Sequence, residues 1–315
     1  MKSNEKIVER VGVLLAAYNG ATWIGKQVSS ILQQDSVDVK ILIGDDKSSD
    51  ATVKVLTESF SNDNRVTLIR REMGTGSSGA NFRTLYREVE FNDVDYVALS
   101  DQDDYWNVDK LSCALASLNA SESDAYSAAV LATWSADRKK ILRQNPNMRA
   151  ADHLFEGAGQ GCTFVMRADF FREVQVFCRL HAAVVEELHH HDWLVYVLAR
   201  AWNKKWCFDA RPSMMYRQHG HNELGARDGL SAIRHRLAMI RNGWYARQIQ
   251  AASRIYILAG GSDQACLVLA KQFSDQIEKA SMTRRLSLCI AVLLHGRRRF
   301  VDRGILAVAA LAAWI

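Results

Sequence analysis

The stretch Asp95-Tyr96-Val97-Ala98-Leu99-Ser100-Asp101-Gln102-Asp103-Asp104 decides how this chain is read. The run ending at Leu99 is short and apolar, the pattern of a buried strand. It ends in three carboxylates within four residues. Like charges gathered at a strand end repel one another and call for a compensating cation. Hard divalent ions, Mg²⁺ or Mn²⁺, take oxygen ligands and bind through one or two carboxylates plus substrate phosphates. The sequence therefore points toward a nucleotide-activated substrate. The alternative is a solvated turn in which Asp104 or Asn107 caps a helix beginning near Val108.

Upstream, strand and helix patterns alternate. Val11-Gly12-Val13-Leu14-Leu15-Ala16 is a continuous apolar run, followed by turn chemistry at Tyr18-Asn19-Gly20. Ile24, Val28, Ile31 and Leu32 form one stripe of a helix over residues 21–34. A second strand over 39–44 ends in Asp45-Asp46-Lys47-Ser48-Ser49-Asp50, where Ser49 or Asp50 is placed to cap the next helix. Residues 66–69 read as a third strand and 80–90 as a helix leading into the acidic stretch. Gly74-Thr75-Gly76-Ser77-Ser78-Gly79 lacks the Lys of a Walker loop and is a weak phosphate cradle. This alternation predicts an α/β fold with a Rossmann-like, mostly parallel central sheet flanked by helices. Such sheets bind ligands at the carboxyl ends of their strands, so one crevice should collect Tyr18, Asp46 and Asp101.

The second half is less regular. Strand-like residues 162–166 follow a Gly-rich loop, a helix follows His189-His190-His191-Asp192-Trp193, and 205–209 and 214–217 read as two short strands separated by Pro212. From Leu230 the chain is helical and arginine-rich. Arg284, Arg285, Arg297, Arg298, Arg299 and Arg303 flank apolar runs that fall short of the roughly 20 residues needed to cross a bilayer. Greasy faces edged with arginine suit an anionic membrane surface better than nucleic acid, the competing reading being a basic helical appendage packed on the rest. The 315 residues, 48% hydrophobic, suffice for one large domain or two. Six cysteines without a C-x-x-C pair suggest free thiols rather than a disulfide framework or zinc site. The polar first ten residues show no secretory signal, which gives a cytoplasmic expectation.

Five blocks together resemble the inverting family 2 glycosyltransferases of GT-A fold, in particular their rhamnosyltransferase-like branch. They are Leu14-Leu15-Ala16-Ala17-Tyr18-Asn19-Gly20, Gly44-Asp45-Asp46-Lys47-Ser48-Ser49-Asp50, Ser100-Asp101-Gln102-Asp103-Asp104-Tyr105-Trp106, His191-Asp192-Trp193 and Tyr216-Arg217-Gln218-His219-Gly220. The resemblance covers about Val11 to Gly225. It implies a glycosyltransferase domain over 1–225; beyond Gly225 the match fades, and the helical basic extension over 226–315 is read from its own pattern as a membrane-surface or acceptor-side element. The resemblance also implies a nucleotide diphosphate sugar donor, with dTDP-rhamnose favoured over a UDP-sugar. The acceptor would be a saccharide or lipid-linked saccharide at the inner face of the cell membrane.

Residue by residue, the resemblance puts Tyr18 and Asp46 on the nucleotide base, with Asp45 as the neighbour readily confused with Asp46. Asp101 contacts the ribose, and Asp103 ligates a metal that bridges the diphosphate, with His219 near it and Arg217 close by. Ala17, Asn19, Asn81 and Gln102 complete the donor-side candidates. Asp192 is the general base for the acceptor hydroxyl. Trp106, Gly161, Cys162, His191 and Trp193 are acceptor-side candidates. Several of these have plainer readings: Asp192 as a helix N-cap, Trp106 and Trp193 as core, Tyr18 as a turn residue. Ala17 stands where many members carry Thr or Ser, and His221 where Asn is common. No Ser-His-Asp or Cys-His nucleophile arrangement is evident. The competing class is a non-catalytic nucleotide- or carbohydrate-binding module; the presence of both Asp103 and Asp192 favours the enzyme.

Overall fold

A computed structural model describes residues 8–135, 137–218, 238–274 and 281–315. By internal packing the chain divides into two compact units: 1–143 with 160–176 and 205–221, and 144–159 with 177–204 and 222–315. The second unit thus gathers segments from both sides of residue 225.

The first unit is built on one mixed sheet. Strands β1 (Glu9–Ala17), β2 (Val37–Asp45), β3 (Val66–Arg70) and β4 (Tyr96–Asp101) are mutually parallel, in the order β3-β2-β1-β4. Helices α1 (Ile24–Leu32), α2 (Thr52–Phe60) and α3 (Ser78–Glu88) connect them. Beyond β4 the sheet turns mixed. β5 (Tyr105–Trp106), β6 (Ala125–Thr133), β7 (Lys139–Leu142), β8 (Val165–Arg167) and β9 (Trp206–Arg217) extend it, with β8 antiparallel to β4 and β6 parallel to β9. β1 is buried without a break from Val11 to Ala17, as expected of a strand covered on both faces. Helix α4 (Lys110–Ala120) follows β5.

Three local expectations are corrected. The stretches flanking Pro212 form one strand, β9, whose pairing with β6 slips between Asp209 and Pro212; a bulge accommodates the missing proline N–H there. Residues 161–163 make a 3-10 turn before β8 rather than the start of a strand. Helix α4 has Asp109 at its N-cap position with no side-chain cap bond, so neither Asp104 nor Asn107 caps it.

The second unit is helical: α6 (Ala182–Glu187) and α7 (His191–Ala201), which follow α5 (Ala168–Leu180), then α8 (Trp244–Leu258), α9 (Gln264–Ser274), α10 (Met282–His295) and α11 (Phe300–Leu311). Its interior holds an ionic network. Asp152, fully buried, accepts from Arg200 at 2.5 Å and from the Tyr196 hydroxyl at 3.0 Å, and lies 3.6 Å from Arg298 Nε. Arg298, also buried, donates to Glu156 from its backbone at 2.6 Å and from Nε at 3.1 Å. Arg297 reaches Glu156 at 3.2 Å and Asp302 at 3.6 Å. Burial alone would raise the Asp152 carboxyl, but His153, Arg200 and Arg298 outweigh it and hold it below the usual range. The expectation that this arginine cluster faces outward is therefore corrected for Arg297 and Arg298, which serve internal carboxylates; Arg299 is exposed.

Removing one member of a buried ion network strands the others. Arg298→Met should cost about 3–5 kcal/mol in urea unfolding, whereas Arg299→Met should stay within about 0.5 kcal/mol of the parent. The pH dependence follows from the depressed Asp152 carboxyl. Its stabilisation is present above an unfolded value of about 3.9 and is lost as pH falls through the lower folded value. Without Arg298 that folded value rises, so acid unfolding of Arg298→Met should begin at higher pH.

Candidate active site

The parallel register fixes the site. Ala17 pairs with Asp45 across β1 and β2, and Ala16 with Asp101 across β1 and β4. Asp45 and Asp101 therefore sit at one carboxyl edge, the place where open α/β sheets bind ligands.

The loops leaving this edge are fastened to one another. Asn19 adopts a left-handed backbone, φ 48°, which Asn tolerates better than most residues. Its amide oxygen accepts from the Ser49 N–H at 2.8 Å, and its own N–H donates to the Ser48 hydroxyl at 2.9 Å. Gly20 N–H donates to Thr52 Oγ1 at 2.7 Å. Gln102 spans to the first loop with both ends of its amide: Tyr18 N–H donates to Oε1 and Nε2 donates to the Tyr18 carbonyl, each at 2.8 Å. A Cβ on Gly20 would stand 2.2 Å from Gln102 Oε1, so only glycine leaves room for that clamp. With its backbone held, Tyr18 remains 56% exposed.

The two neighbouring aspartates differ. Asp46 is buried with both oxygens engaged, receiving Thr75 N–H at 2.7 Å, Thr75 Oγ1 at 2.9 Å and Gly76 N–H at 3.2 Å. The Gly-rich loop thus cradles a carboxylate of the protein itself. Asp45 is also buried; its Oδ2 accepts from Ser48 N–H at 3.2 Å, while Oδ1 has no hydrogen-bond partner among the described residues. Asn81 is buried with Nδ2 donating to the Gly44 carbonyl at 2.8 Å, so its amide fastens α3 to β2.

The acidic turn is layered. Asp101 is half-buried and Asp103 and Asp104 are buried, Asp104 completely. The Asp104 Oδ1 accepts from Arg217 N–H at 3.2 Å, and its Oδ2 has no hydrogen-bond partner among the described residues. Burial first, then the Asp103 and Asp101 charges, drive the Asp104 carboxyl well above its ordinary value. Ligand atoms of Asp101, Asp104 and Cys162 lie within 4.8 Å of one another. The Arg217 guanidinium donates to the Asp103 carbonyl at 3.0 Å and sits 4.3 Å over the Trp23 ring. Cys162, on the 3-10 turn beside Gly161, is buried, and burial pushes its thiol up. As a protonated thiol it is a poor ligand for a hard cation.

Beneath this turn lies a group that the motifs did not flag. Lys110, completely buried, places Nζ 3.6 Å over the Trp106 ring and has no hydrogen-bond partner among the described residues. Burial lowers it to about 7, against the opposing pull of Cys162 and Asp104. Trp106 lies in β5 and Lys110 opens α4, so no helical spacing in the sequence announces the pair. A ring buried beneath Lys110 presents no face to a sugar, so Trp106 is core.

In the second unit, α7 opens at His191, with His190 at the N-cap position and Asp192 in the first turn. Asp192 is thus not the N-cap; its Oδ1 accepts the N–H of Trp193 at 2.7 Å. His191 is buried, and Trp193 is buried with Nε1 donating to the His153 carbonyl at 2.7 Å, a core role. His189 and His190 pack around Trp244 with ring centroids 6.0 and 5.7 Å away. His219 and His221 lie outside the described residues.

Comparisons with known proteins agree with this architecture. A dTDP-rhamnosyl transferase of Shigella flexneri is 34% identical over 236 residues, 75% of this chain and 82% of that protein. A UDP-Glc:alpha-D-GlcNAc-diphosphoundecaprenol beta-1,3-glucosyltransferase of Escherichia coli is 33% identical over 102 residues, 32% of this chain and 38% of that protein. Among solved structures, S. aureus TarS 1–349 in complex with UDP-GlcNAc superposes with a TM-score of 0.53 at 14% identity, over 97% of this chain and 91% of that one. Residues 12–174 match the profile of glycosyl transferase family 2. That span holds the clamp, both loop aspartates and the acidic turn, and the chain belongs to this glycosyltransferase family.

Proposed function

We propose that this enzyme moves rhamnose from dTDP-rhamnose, with inversion, to a hydroxyl of a saccharide or lipid-linked saccharide in bacterial surface polysaccharide synthesis. The observation that carries the reading is the single carboxyl edge where Asp45, Asp101 and the half-partnered Asp104 stand beside the exposed Tyr18. The rhamnosyl donor is favoured by the Shigella relative's name and the length over which it aligns. The lipid-linked acceptor is favoured by the E. coli relative, whose name specifies one.

In this reading Tyr18 stacks on the base. Asp46 or Asp45 accepts its N–H: Asp46 through a remaining lone pair, Asp45 through the bare Oδ1. Asp101 takes the ribose. The buried oxygen of Asp104, with Asp101 close by and Asp103 adjoining, is a donor set that fits a hard divalent cation. Bound there, Mg²⁺ or Mn²⁺ would supply charge neutralisation for the departing diphosphate. Arg217, held by the Asp103 carbonyl and the Trp23 ring, adds a fixed positive charge. Asp192 takes the proton from the acceptor hydroxyl as that oxygen attacks the anomeric carbon. A helix's first turn suits a carboxylate, since the N-terminal dipole favours the anion.

Donor choice is tested by thermal shift of the full chain across nucleotide sugars with Mn²⁺ present. A true donor at 100 times its Kd adds about 2.7 kcal/mol of stability; a larger shift with UDP-sugars than with dTDP-rhamnose would displace the rhamnosyl reading. Asp103→Ala and Asp104→Asn should each lower transfer by about 10²-fold or more, the usual scale for losing one electrostatic stabiliser. Calorimetric Mn²⁺ titration should show weakened binding in both, and unchanged Mn²⁺ affinity would move the cation elsewhere. Asp192→Asn should lower kcat by about 10²–10⁴-fold with donor Kd unchanged. An equal loss of donor binding would place Asp192 on the donor instead.

A further inference from the structure

In α11 the buried face carries the ionisable side chains beside Leu306, Ala307, Ala309 and Ala310, and the outward face is apolar as well. Its ionisable side chains turn inward: Asp302 to Arg297 at 3.6 Å, and Arg303, buried, to the Leu293 carbonyl at 3.0 Å. Its outward positions are apolar, with Phe300 74%, Val301 71% and Val308 61% exposed, joined by Ile305 and Leu311. Helix α10 adds a second stripe at helical spacing, Met282, Leu286, Ile290 and Leu294, all exposed. Between Ile240, Val301, Ile305, Val308 and Trp314 lies an apolar groove of about 390 Å³. Soluble monomers rarely expose a contiguous apolar patch beyond a few hundred Å².

Charge says what covers this face. Asp302 is the sole acid in 281–315, and it is committed to Arg297. Among the described residues, Arg299 and Arg241 are exposed cations flanking this face, the latter 5.6 Å over the ring of Trp314. An apolar floor with flanking cations and an indole at its edge matches an apolar slab whose surface carries anions. Among the described residues no helix is long and apolar enough to cross a membrane, so such a face lies flat.

We propose that the outward face of α10 and α11 docks the enzyme on an anionic phospholipid leaflet, with the apolar side chains entering the headgroup boundary and Arg241 and Arg299 at the phosphates. This goes beyond the proposed transfer reaction and does not depend on it. The internal arginines 297 and 298 take no part in it.

The test is co-sedimentation of the full chain with vesicles of phosphatidylglycerol and phosphatidylethanolamine, against vesicles of phosphatidylcholine alone. The full chain should partition to the anionic vesicles and weaken as salt rises. Val301→Ser with Val308→Ser should lower partitioning about tenfold or more with an unchanged melting temperature, since both side chains are exposed. Gly304→Leu is the second variant, because a Cβ there meets nothing within 4 Å. Fluid lipid accommodates the added side chain, so partitioning should hold or rise. No partitioning of the parent chain to any vesicle overturns the proposal. So does a dimer in light scattering that Gly304→Leu breaks, which would assign the face to a second copy of the chain. Transfer to a soluble acceptor mimic should be the same for all three proteins.

Discussion

Everything at the carboxyl edge depends on keeping three aspartates of one turn together while one of them, Asp104, is removed from water. Burial of a carboxylate in a low dielectric is costly, and two further acids at Asp101 and Asp103 add repulsion. Among the described contacts, the Arg217 N–H reaches Asp104 and the Arg217 guanidinium the Asp103 carbonyl, while the buried Lys110 amine acts on Asp104 through charge alone. These contacts leave Asp104 Oδ2 without a hydrogen-bond partner among the described residues. A fold that tolerates such an atom holds a site whose resting state is electrostatically incomplete, which is how a preorganised cation or phosphate site differs from a structural ion pair.

The second constraint is mechanical. Loops at the end of a parallel sheet have no ladder to hold them, yet a base and a diphosphate need fixed partners. Asn19, Gln102 and Thr75 supply that rigidity by binding backbone groups or carboxylates of neighbouring loops. The polar side chains of the motifs therefore divide in two: some hold the loops, and others remain for a ligand. Asn19, Gln102 and Asn81 are of the first kind. In the proposed reading, Tyr18, Asp45 Oδ1 and Asp104 Oδ2 are of the second.

That division marks the limit of what the sequence could reveal. The parallel strands were legible because buried runs such as Val11–Ala17 and Tyr96–Leu99 have one reading, and the motif blocks located the edge. Which member of a motif faces a ligand was not legible, because Asp45 and Asp46 are adjacent and identical in type, and only the Thr75–Gly76 loop distinguishes them. Lys110 was invisible because a lysine in a helix's first turn reads as solvated until Trp106 is seen to cover it. The strand through Pro212 was misread because a proline is a strong break signal unless a bulge absorbs it. The roles proposed for Asp103 and Asp192 rest on motif position, since adjacency along a chain says nothing about which oxygen reaches a cation or a proton.

Composition is weakest on which way a side chain points, and the C-terminal helices show why. Six arginines and two apolar runs suggest a cationic surface around a greasy core, yet Arg297, Arg298 and Arg303 lie inside and Phe300, Val301 and Val308 outside. The cause is upstream: buried Asp152 and half-buried Glu156, on a short segment of the same unit, need cations within hydrogen-bond reach, and consecutive arginines at a helix junction can supply them. Once Arg297 anchors Asp302 and Arg303 turns to the Leu293 carbonyl, helical periodicity leaves the apolar positions of α11 on the opposite face. Satisfying Asp152 and Glu156 thus creates the apolar exterior. The same ion network that stabilises the unit fixes which surface it offers to its surroundings.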